Sequence, residues 1–468
     1  MGTTIYDTII IGAGLTGLTT GYYLKKKTDS FLILESQSRA GGQIRTYSKN
    51  GFTFESGPNT GVIGNAEVAE LFEDLNLPNL LEIADPSAKR RLIWKGDHFR
   101  ELPSGLFSGL LTPLFTFPDK FRLLMEPFRA RGTDPNESLA GLVERRMGKS
   151  FLDYAVDPFL SGVYAGNPEQ LVTRYALPKL YMLEQDYGSF IKGAIAKAKM
   201  PKTERDKKVT KDVFSTNGGL GALVDALANE VGDEHLLLGV NIEQIEPLVE
   251  DGFEVTFNLE GERRKVITRR IVTTVPAYEI ADLLPFIDRS LTDPISALVY
   301  APVVQISVGF DKLEEHPKPA FGGLVPSKEN KKVLGILYPY ACFEQRAPKG
   351  GALFSFFIGG MRGKDLFEYS DDQLRELVKQ EVRDMLKIPA SVEPSLIEIF
   401  RHPRAIPQYG ADSGQRFESI SKIQILYPGL LLGGNMHGGI GMADRIKQGR
   451  MLVERLSNDN KILILPNI

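Results

Sequence analysis

The stretch from Asp7 to Leu24, DTIIIGAGLTGLTTGYYL, constrains the fold more than any other part of the chain. Thr8 to Ile11 form an apolar run that reads as a short buried strand. Gly12, Gly14 and Gly17 follow at the spacing GxGxxG before a helical run begins. Each glycine has its own physical task. Gly12 permits the tight turn out of the strand, Gly14 lets backbone come close to a pyrophosphate, and Gly17 lets the helix pack on the strand. The phosphates then sit at a helix N-terminus, where two negative charges gain roughly 0.3 to 1 kcal/mol each from the dipole. In a chain with 46 glycines such a loop decides little by itself. A second apolar strand, FLILES from Phe31 to Ser36, brings Glu35 to the position where a ribose diol needs its acceptor. An α/β dinucleotide-binding domain therefore opens the chain.

At 468 residues the chain exceeds what one core usually spans, so two or three domains are expected. A net charge of −3 leaves no electrostatic footprint for nucleic acid. Cys342 is the only cysteine, so no disulfide, CxxC pair or zinc cluster can form within one chain, and no metal site is expected. The immediate entry into a strand leaves no room for a signal peptide, which points to a cytoplasmic protein.

Two uncharged segments are the candidates for membrane contact. Leu102 to Pro118 carries no charge over 17 residues, but three prolines and two glycines interrupt it, so a continuous transmembrane helix is not expected. Ile423 to Ala443 contains six glycines, which suit a close-packed loop and helix start better than a lipid-facing helix. Phe107, Leu110, Leu111, Leu114, Phe115 and Phe117 are concentrated in the first segment. Either a monotopic anchor in a bilayer interface, on the inner face of the cell membrane, or a buried helix pair beside a substrate pocket would account for them.

After Pro86 the pattern is mostly helical to about Met200, and a charged linker, PKTERDKKVTKD, runs from Pro201 to Asp212. VFSTNGGLGALVDALANEV then reads as strand, glycine turn and helix. Alternating strands follow, with a turn at Asp251-Gly252 and a return strand from Ile271 to Val275. Residues from about 291 to 400 mix strands such as VVQISVGF with helices such as DDQLRELVKQEVRDML.

Five of these segments resemble, in order, the landmarks of the FAD-dependent amine oxidase and porphyrinogen oxidase superfamily. They are ESQSRAGGQIRT (Glu35 to Thr46), FESGPN (Phe54 to Asn59), NGGLGALVDAL, IVTTVPA and GLLLGGNMHGGIGMADRIKQG (Gly429 to Gly449). The resemblance implies non-covalent FAD rather than NAD. It also implies a Rossmann-like FAD-binding domain made of residues 1–88, 208–290 and 400–468, a helical, pocket-lining insertion over 89–207 with membrane association left open, and a mixed α+β substrate domain over 291–399. The cofactor would lie against Gly12, Gly14, Leu15, Thr16 and Gly17, then Glu35, Ser36, Arg39, Gly41 and Gly42. The same resemblance adds Gly57, Pro58 and Asn59, Val240 and Thr274, and in the last segment Gly434, Asn435, Gly441, Met442 and Ala443.

The middle of the chain narrows the resemblance to the oxygen-dependent protoporphyrinogen oxidases. PFLSGVYAGNPEQLVTRYALPKLYMLEQDYGSFIKG, from Pro158 to Gly193, is similar to that family's SGVYAGDP…LEQ…GS stretch. DPSAKRRLIWKGDHFRELPSG, from Asp85 to Gly105, is similar to its strand with a propionate-binding arginine, which falls on Arg90 or, one position off, Arg91. The implied reaction is the six-electron oxidation of protoporphyrinogen IX in haem biosynthesis, consuming O2 and releasing hydrogen peroxide. A tetrapyrrole and O2 would be its partners, with a peripheral membrane contact and a homodimer left open. Backbone at Gly166 would lie beside the macrocycle. Leu334, Leu337, Phe354 and Phe356 are candidate walls on apolar strands, with ordinary core as the competing reading; alternation puts both phenylalanines on one face and Phe357 on the other.

Coproporphyrinogen III stays open as substrate, because Lys89, Arg90 and Arg91 could meet additional carboxylates. An amine oxidase fits less well, since GGNMHGGIGMAD lacks the aromatic residue that superfamily members place beside the flavin. A flavin-holding scaffold without turnover is the alternative of another class. No acid-base triad is visible. His437 is the one histidine near a flavin landmark, and it is expected to pack rather than to transfer protons.

Overall fold

The computed structural model describes residues 4–103, 112–249 and 251–457. Its strands run β1 (Thr4–Ile11), β2 (Phe31–Leu34), β3 (Thr46–Lys49), β4 (Phe52–Glu55), β5 (Gly61–Val62), β6 (Leu81–Ile83), β7 (Arg91–Lys95), β8 (His98–Glu101), β9 (Val213–Thr216) and β10 (Leu236–Leu237). They continue with β11 (Asn241–Pro247), β12 (Phe253–Leu259), β13 (Glu262–Thr273), β14 (Tyr300–Phe310), β15 (Gly322–Leu324), β16 (Val333–Leu337), β17 (Ala352–Gly359), β18 (Leu396–Pro407) and β19 (Leu430–Leu432). The helices used below are α1 (Leu15–Lys26), α2 (Ala66–Leu75), α3 (Phe117–Leu124), α4 (Leu139–Arg146), α5 (Pro178–Tyr187), α6 (Phe190–Lys199), α7 (Gly221–Val231), α8 (Asp371–Leu386), α9 (Ser413–Leu426) and α10 (Met442–Ser457).

The first sheet has the order β10-β2-β1-β13-β12-β11, with β19 also on β13. β13 is the strand that organises it. Its whole length pairs antiparallel with β12 up to Thr268, and its last three residues, Ile271 to Thr273, take β19 in parallel. On its other side β1 runs parallel, with Ile11 opposite Thr273, and β2 runs parallel beyond β1. All four residues of β2 are buried, as strands covered on both faces require. The carboxyl ends of β1, β2, β13 and β19 therefore finish side by side. That rim of a parallel sheet is where ligands bind in such folds.

The second sheet has the order β18-β14-β17-β16-β15-β7-β8. One face, carrying Val304, Ile306, Val308, Phe354, Phe356 and Ile358, is sealed by Leu374, Leu377, Val378 and Val382 of α8. The other face meets the first domain through the β3-β4 hairpin. Lys49 pairs with Glu398 at 2.6 Å, Tyr47 stacks on Phe400 at 5.2 Å, and Gln305 donates to the Glu55 carbonyl at 2.6 Å.

Two boundaries differ from the sequence reading. Residues 91–101, expected in the helical insertion, form the β7-β8 hairpin and join the second sheet through the parallel β15-β7 pair. Gly96, at φ +72°, makes the turn that helical periodicity conceals. β18 runs through the boundary expected at residue 400 because it pairs along most of β14.

The helical insertion is organised by a buried ion-pair network. Arg146, fully buried at the end of α4, donates from Nε to Glu126 Oε1 at 2.6 Å and from Nη1 to Glu184 Oε1 at 2.6 Å. Glu126 also accepts from Ser189 Oγ at 2.5 Å and the Phe190 N–H at 3.0 Å, at the start of α6. Arg145 adds bonds to Glu137 and Glu184. Breaking one partner of such a network leaves a buried charge unpaired, at a cost of about 3–5 kcal/mol.

Of the segment considered as a membrane anchor, Phe107, Leu110 and Leu111 lie outside the described residues. Leu114 is buried against Ile93 and Tyr154, and Phe115 stacks on Phe151 at 5.4 Å, so both pack inward. The exposed apolar stripe lies just beyond. Phe117, Phe121 and Leu124 on α3 are 83%, 60% and 60% exposed, and Phe128 after it is 78% exposed. Spacings of four and three residues align the first three along one face of the helix. Among the described residues no helix is long and apolar enough to cross a membrane.

Candidate functional site

The glycine loop sits on the rim of the first sheet. Gly12 adopts φ +99° at the end of β1, and Thr274, just past β13, donates from Oγ1 to the Ile11 and Gly12 carbonyls, both at 3.1 Å. Gly17 lies so close to the turn that a Cβ there would stand 1.9 Å from the Gly12 carbonyl oxygen. Gly14, the N-cap of α1, is different: a Cβ built on it meets no protein atom within 4 Å. The loop is thus tight where it turns and open where a ligand would approach. Leu15 and Thr16, in the first turn of α1, are buried behind it.

Glu35 is buried just beyond β2 and bound to this loop. Its Oε2 accepts from the Ala13 N–H at 2.7 Å and its Oε1 from the Gln37 N–H at 2.8 Å, while Ser36 is exposed beside it. The buried Val240 donates its N–H to the Glu35 carbonyl at 2.9 Å, which brings it to the same rim. The second glycine loop folds over the first: the Gly41 N–H donates to the Ala13 carbonyl at 2.8 Å, and Gly42 lies against Gly14. Arg39 fastens the second loop by donating to the Ala40, Gly42 and Ile44 carbonyls at 2.6–3.1 Å. Burial, and then the charge of Arg45, lowers the Arg39 pKa.

Three helices begin at this place. Thr16 donates from Oγ1 to the Arg445 carbonyl at 3.3 Å, joining the first turn of α1 to that of α10. Asn65, the N-cap of α2, donates from Nδ2 to the Ala443 carbonyl at 2.8 Å. Met442 is buried at the start of α10, beside the exposed Gly441. Converging N-termini supply backbone N–H groups and positive potential, so the arrangement suits an anionic ligand.

Between the two sheets lie Ser56 to Asn59 and the loop that precedes α10. Asn59 donates from Nδ2 to the Gly57 carbonyl at 3.0 Å across Pro58, and the Ser56 carbonyl accepts from His402 Nε2 of β18. Burial lowers the His402 pKa, against the effect of that hydrogen bond. Tyr300 donates to Asn435 Oδ1 at 3.0 Å, Tyr409 donates to the Asn435 carbonyl at 2.8 Å, and the Gly434 N–H donates to Gln448 Oε1 at 2.8 Å. His437 is buried with Nε2 2.8 Å from the Leu432 carbonyl, and burial pushes its pKa down to about 4. It is a neutral packing residue at physiological pH.

The candidate substrate walls divide between the two faces of the second sheet. Leu334 packs with Ala165, Val303, Phe357 and Ile406 on the face toward the first domain. Leu337, opposite Ser355, shares that face, while Phe354 and Phe356 point the other way and are fully buried in the core under α8. The expectation that these two phenylalanines wall a pocket is corrected here, because both are enclosed in that core and Phe357 alone of the three lies on the opposite face. Gly166 follows Ala165 beside this cluster, with Gln408 Oε1 2.7 Å from where its Cβ would be. Arg90, in the turn into β7, donates from Nε to Glu101 Oε2 at 2.9 Å and from Nη1 to the Pro319 carbonyl at 3.4 Å. Arg91 is exposed in the strand itself.

The sequence profile described as "Flavin containing amine oxidoreductase" matches residues 15–456. The chain belongs to this family. The donor set just described fits FAD: an open cradle at Gly14, the buried Glu35 carboxylate beside it, and three converging helix starts. The flavoenzyme is 31% identical to protoporphyrinogen oxidase 1, chloroplastic, of Arabidopsis thaliana, over 94% of this chain and 86% of that one. It is 29% identical to the chloroplastic protoporphyrinogen oxidase of Nicotiana tabacum, over 93% and 82% respectively. With protoporphyrinogen oxidase of Homo sapiens it shares 28% over 96% and 97%. Among solved structures, one from Exiguobacterium sp. 255-15 superposes with a TM-score of 0.80 at 21% identity, covering 98% of this chain and all of that one. Cyclohexylamine oxidase from Brevibacterium oxydans superposes with a TM-score of 0.69 at 15% identity, covering 97% and 99%. These two likenesses speak to the fold.

Sequence reasoning did not single out His402, which holds the Ser56 carbonyl, or Arg445, which holds the Gly434, His437 and Gly439 carbonyls. His402 lies outside the flavin-like segments, and only the pairing of β18 with β14 brings it to Ser56. Arg445 lies inside such a segment, but its glycines drew the reading and a single arginine in a helical run carries no signal.

Proposed function

We propose that this flavoenzyme oxidises protoporphyrinogen IX to protoporphyrin IX with O2 as the electron acceptor. The observation that carries the reading is the likeness to protoporphyrinogen oxidases along nearly the full length of both chains. FAD held on the glycine-loop rim would supply the redox chemistry, and overall three O2 become three hydrogen peroxide as three hydrides and three protons leave the substrate.

The chain's own residues bind and orient. Val303, Leu334, Phe357 and Ile406 give an apolar wall suited to a large ring system and exclude water from it. Arg90 binds one propionate at the rim. Its present partner Glu101 is more than half exposed, and an exposed pair of this kind is worth only about 0–1 kcal/mol, so a substrate carboxylate can share the guanidinium at little cost. The apolar stripe of α3 and Phe128 supports a peripheral seat on a membrane surface, which suits a substrate of this apolarity.

The experiment is porphyrin fluorescence from purified protein given protoporphyrinogen IX or coproporphyrinogen III in air, with peroxide followed in parallel. Faster turnover of the dicarboxylate, with about three peroxides per porphyrin, is the expected result. Preference for the tetracarboxylate would overturn the substrate assignment, and activity on neither would overturn the reaction.

A further inference from the structure

Ala165 is held at φ +47°, a left-handed backbone that a residue with a Cβ keeps only where its surroundings fix it. The loop after β17 supplies much of that fixing. The Met361 N–H donates to the Ala165 carbonyl at 2.8 Å, and a Cβ on Gly360, itself at φ +76°, would stand 2.9 Å from the same oxygen. Arg362 then grips the segment at both ends. Its Nη1 donates to Asp157 Oδ1, where the short helix Asp157–Val163 begins, and its Nη2 donates to Asn167 Oδ1 at 3.0 Å, just past the turn. Asp157 is buried and anchored a second time, accepting from the Ser327 N–H at 2.7 Å and from Ser327 Oγ at 3.0 Å. Asn167 Oδ1 also accepts from the Glu169 N–H at 3.1 Å.

The surroundings of the turn say what the grip is for. Ala165 packs with Val303, Leu334, Phe357, Met361 and Ile406, the apolar cluster proposed as the wall for the macrocycle. Met361 belongs to that cluster and Arg362 follows it in the chain, so one loop carries part of the wall and the clamp together. We infer that Arg362 is a positioning residue for the porphyrinogen, acting through Asp157 and Asn167 to fix the Ala165-Gly166 turn against the wall built by β16 and β17. A planar guanidinium suits the task, because its two Nη groups address two acceptors from one rigid fork. The inference rests on the proposed oxidation of a porphyrinogen at this wall. A cavity of about 270 Å³, lined in part by Lys149, Asp153, Asp157, Lys328 and Arg362, borders the clamp, so water can take the place of the guanidinium on Asp157 in a variant.

The test compares Arg362→Gln, Asn167→Ala and Asn167→Asp in the FAD-loaded enzyme. Steady-state oxidation of whichever porphyrinogen wild type turns over faster gives KM and kcat, O2 reoxidation of photoreduced flavin needs no porphyrinogen, and thermal unfolding reports folding. A misplacement of about 1 Å can cost a factor of about 100, so Arg362→Gln and Asn167→Ala are each expected to raise KM by about ten- to a hundredfold with the reoxidation rate unchanged. Loss of folded protein would lower the apparent kcat and leave KM alone, which separates positioning from a merely structural role. The bond between Arg362 and Asn167 is what the two variants lose in common, so combining them should cost little beyond the larger single effect. Asn167→Asp keeps the acceptor for both Arg362 and the Glu169 N–H and should stay within about threefold of wild type. Should Arg362→Gln fail to fold, Asn167→Ala carries the test, since it leaves the Arg362–Asp157 pair intact. An unchanged KM in Asn167→Ala, or the same rise in Asn167→Asp as in Asn167→Ala, overturns the inference while the reaction stands. Wild type that turns over neither porphyrinogen overturns the proposed function and this inference with it.

Discussion

Gly14 and Gly17 belong to one motif, yet the structure gives them opposite reasons for being glycine, and substitution by alanine separates the two. A methyl group on Gly17 would have to stand 1.9 Å from the Gly12 carbonyl oxygen and 3.1 Å from Thr274 Oγ1, so α1 must move off the sheet. Overpacking of that kind costs about 3 kcal/mol. A methyl group on Gly14 meets no protein atom within 4 Å, and the residue's φ of −69° is open to any side chain. The protein then loses only about 0.5–1 kcal/mol from a poorer N-cap. For 468 residues the unfolding entropy is roughly 1 kcal/mol/K, so 1 kcal/mol corresponds to about 1 °C in Tm. FAD at a hundred times its Kd adds about 2.7 kcal/mol, a rise of roughly 3 °C. Thermal unfolding of apoprotein with and without added FAD therefore distinguishes the variants. Gly17→Ala should lower Tm by about 3 °C in both conditions. Gly14→Ala should unfold within about 1 °C of wild type without FAD and lose the FAD-dependent rise, and Gly14→Val should purify colourless. A Gly14→Ala protein that holds stoichiometric FAD and keeps the full rise would refute the assignment of the open side of the loop to the pyrophosphate.

Two further outcomes test the substrate rim and the domain junction. Arg90→Ala should raise KM for the porphyrinogen by about ten- to a thousandfold, each factor of ten being roughly 1.4 kcal/mol, with FAD content unchanged; an unaltered KM would remove Arg90 from the site. Glu55, the last residue of β4, is buried and accepts from Thr46 Oγ1 at 2.7 Å and the Leu220 N–H at 2.8 Å. Burial pushes its carboxyl up to about 7, against the hydrogen bonds and the charge of Arg346. The folded protein then binds a proton more tightly than the unfolded chain, so stability falls as pH rises from about 4.5 to about 7, by about 3 kcal/mol at most, and stays lower above it. Glu55→Gln should flatten that slope in denaturant titrations between pH 5 and 8; a slope equal to wild type would mean that Glu55 is not its source.

What could be read from sequence was local. The turn at Gly12, the burial of Phe31 to Leu34 and the place of Glu35 follow from neighbours within some thirty residues, and the structure has them. The strand around Arg91 came only from the resemblance, because RLIWKGDHFRE has too little alternation to stand out, and its place in the second sheet was hidden because it comes from pairing with β15, more than two hundred residues later. Facing was hidden for a related reason. Alternation separates Phe354 and Phe356 from Phe357, but only the placement of α8 decides which face becomes core.

The most specific stretch of the sequence turns out to carry architecture more than chemistry. In LEQDYGS, Glu184 is the buried partner of Arg145 and Arg146, Gly188 takes φ +69° to end α5, and Ser189 caps α6 while binding Glu126. Those residue types are needed because a charge network without solvent tolerates no substitution that leaves one member unpaired. The apolar cluster proposed to face the substrate, among it Leu334, Val303 and Phe357, obeys a looser rule, since an apolar wall of the right volume can be built from several side chains. A motif can therefore identify a relative more sharply than it identifies a ligand: the buried network holds the insertion in one shape, and that shape places the Ala165-Gly166 turn beside the apolar wall. Under the proposed reading, specificity for one porphyrinogen over another would then rest on the few charges at the rim, with Arg90 first among them.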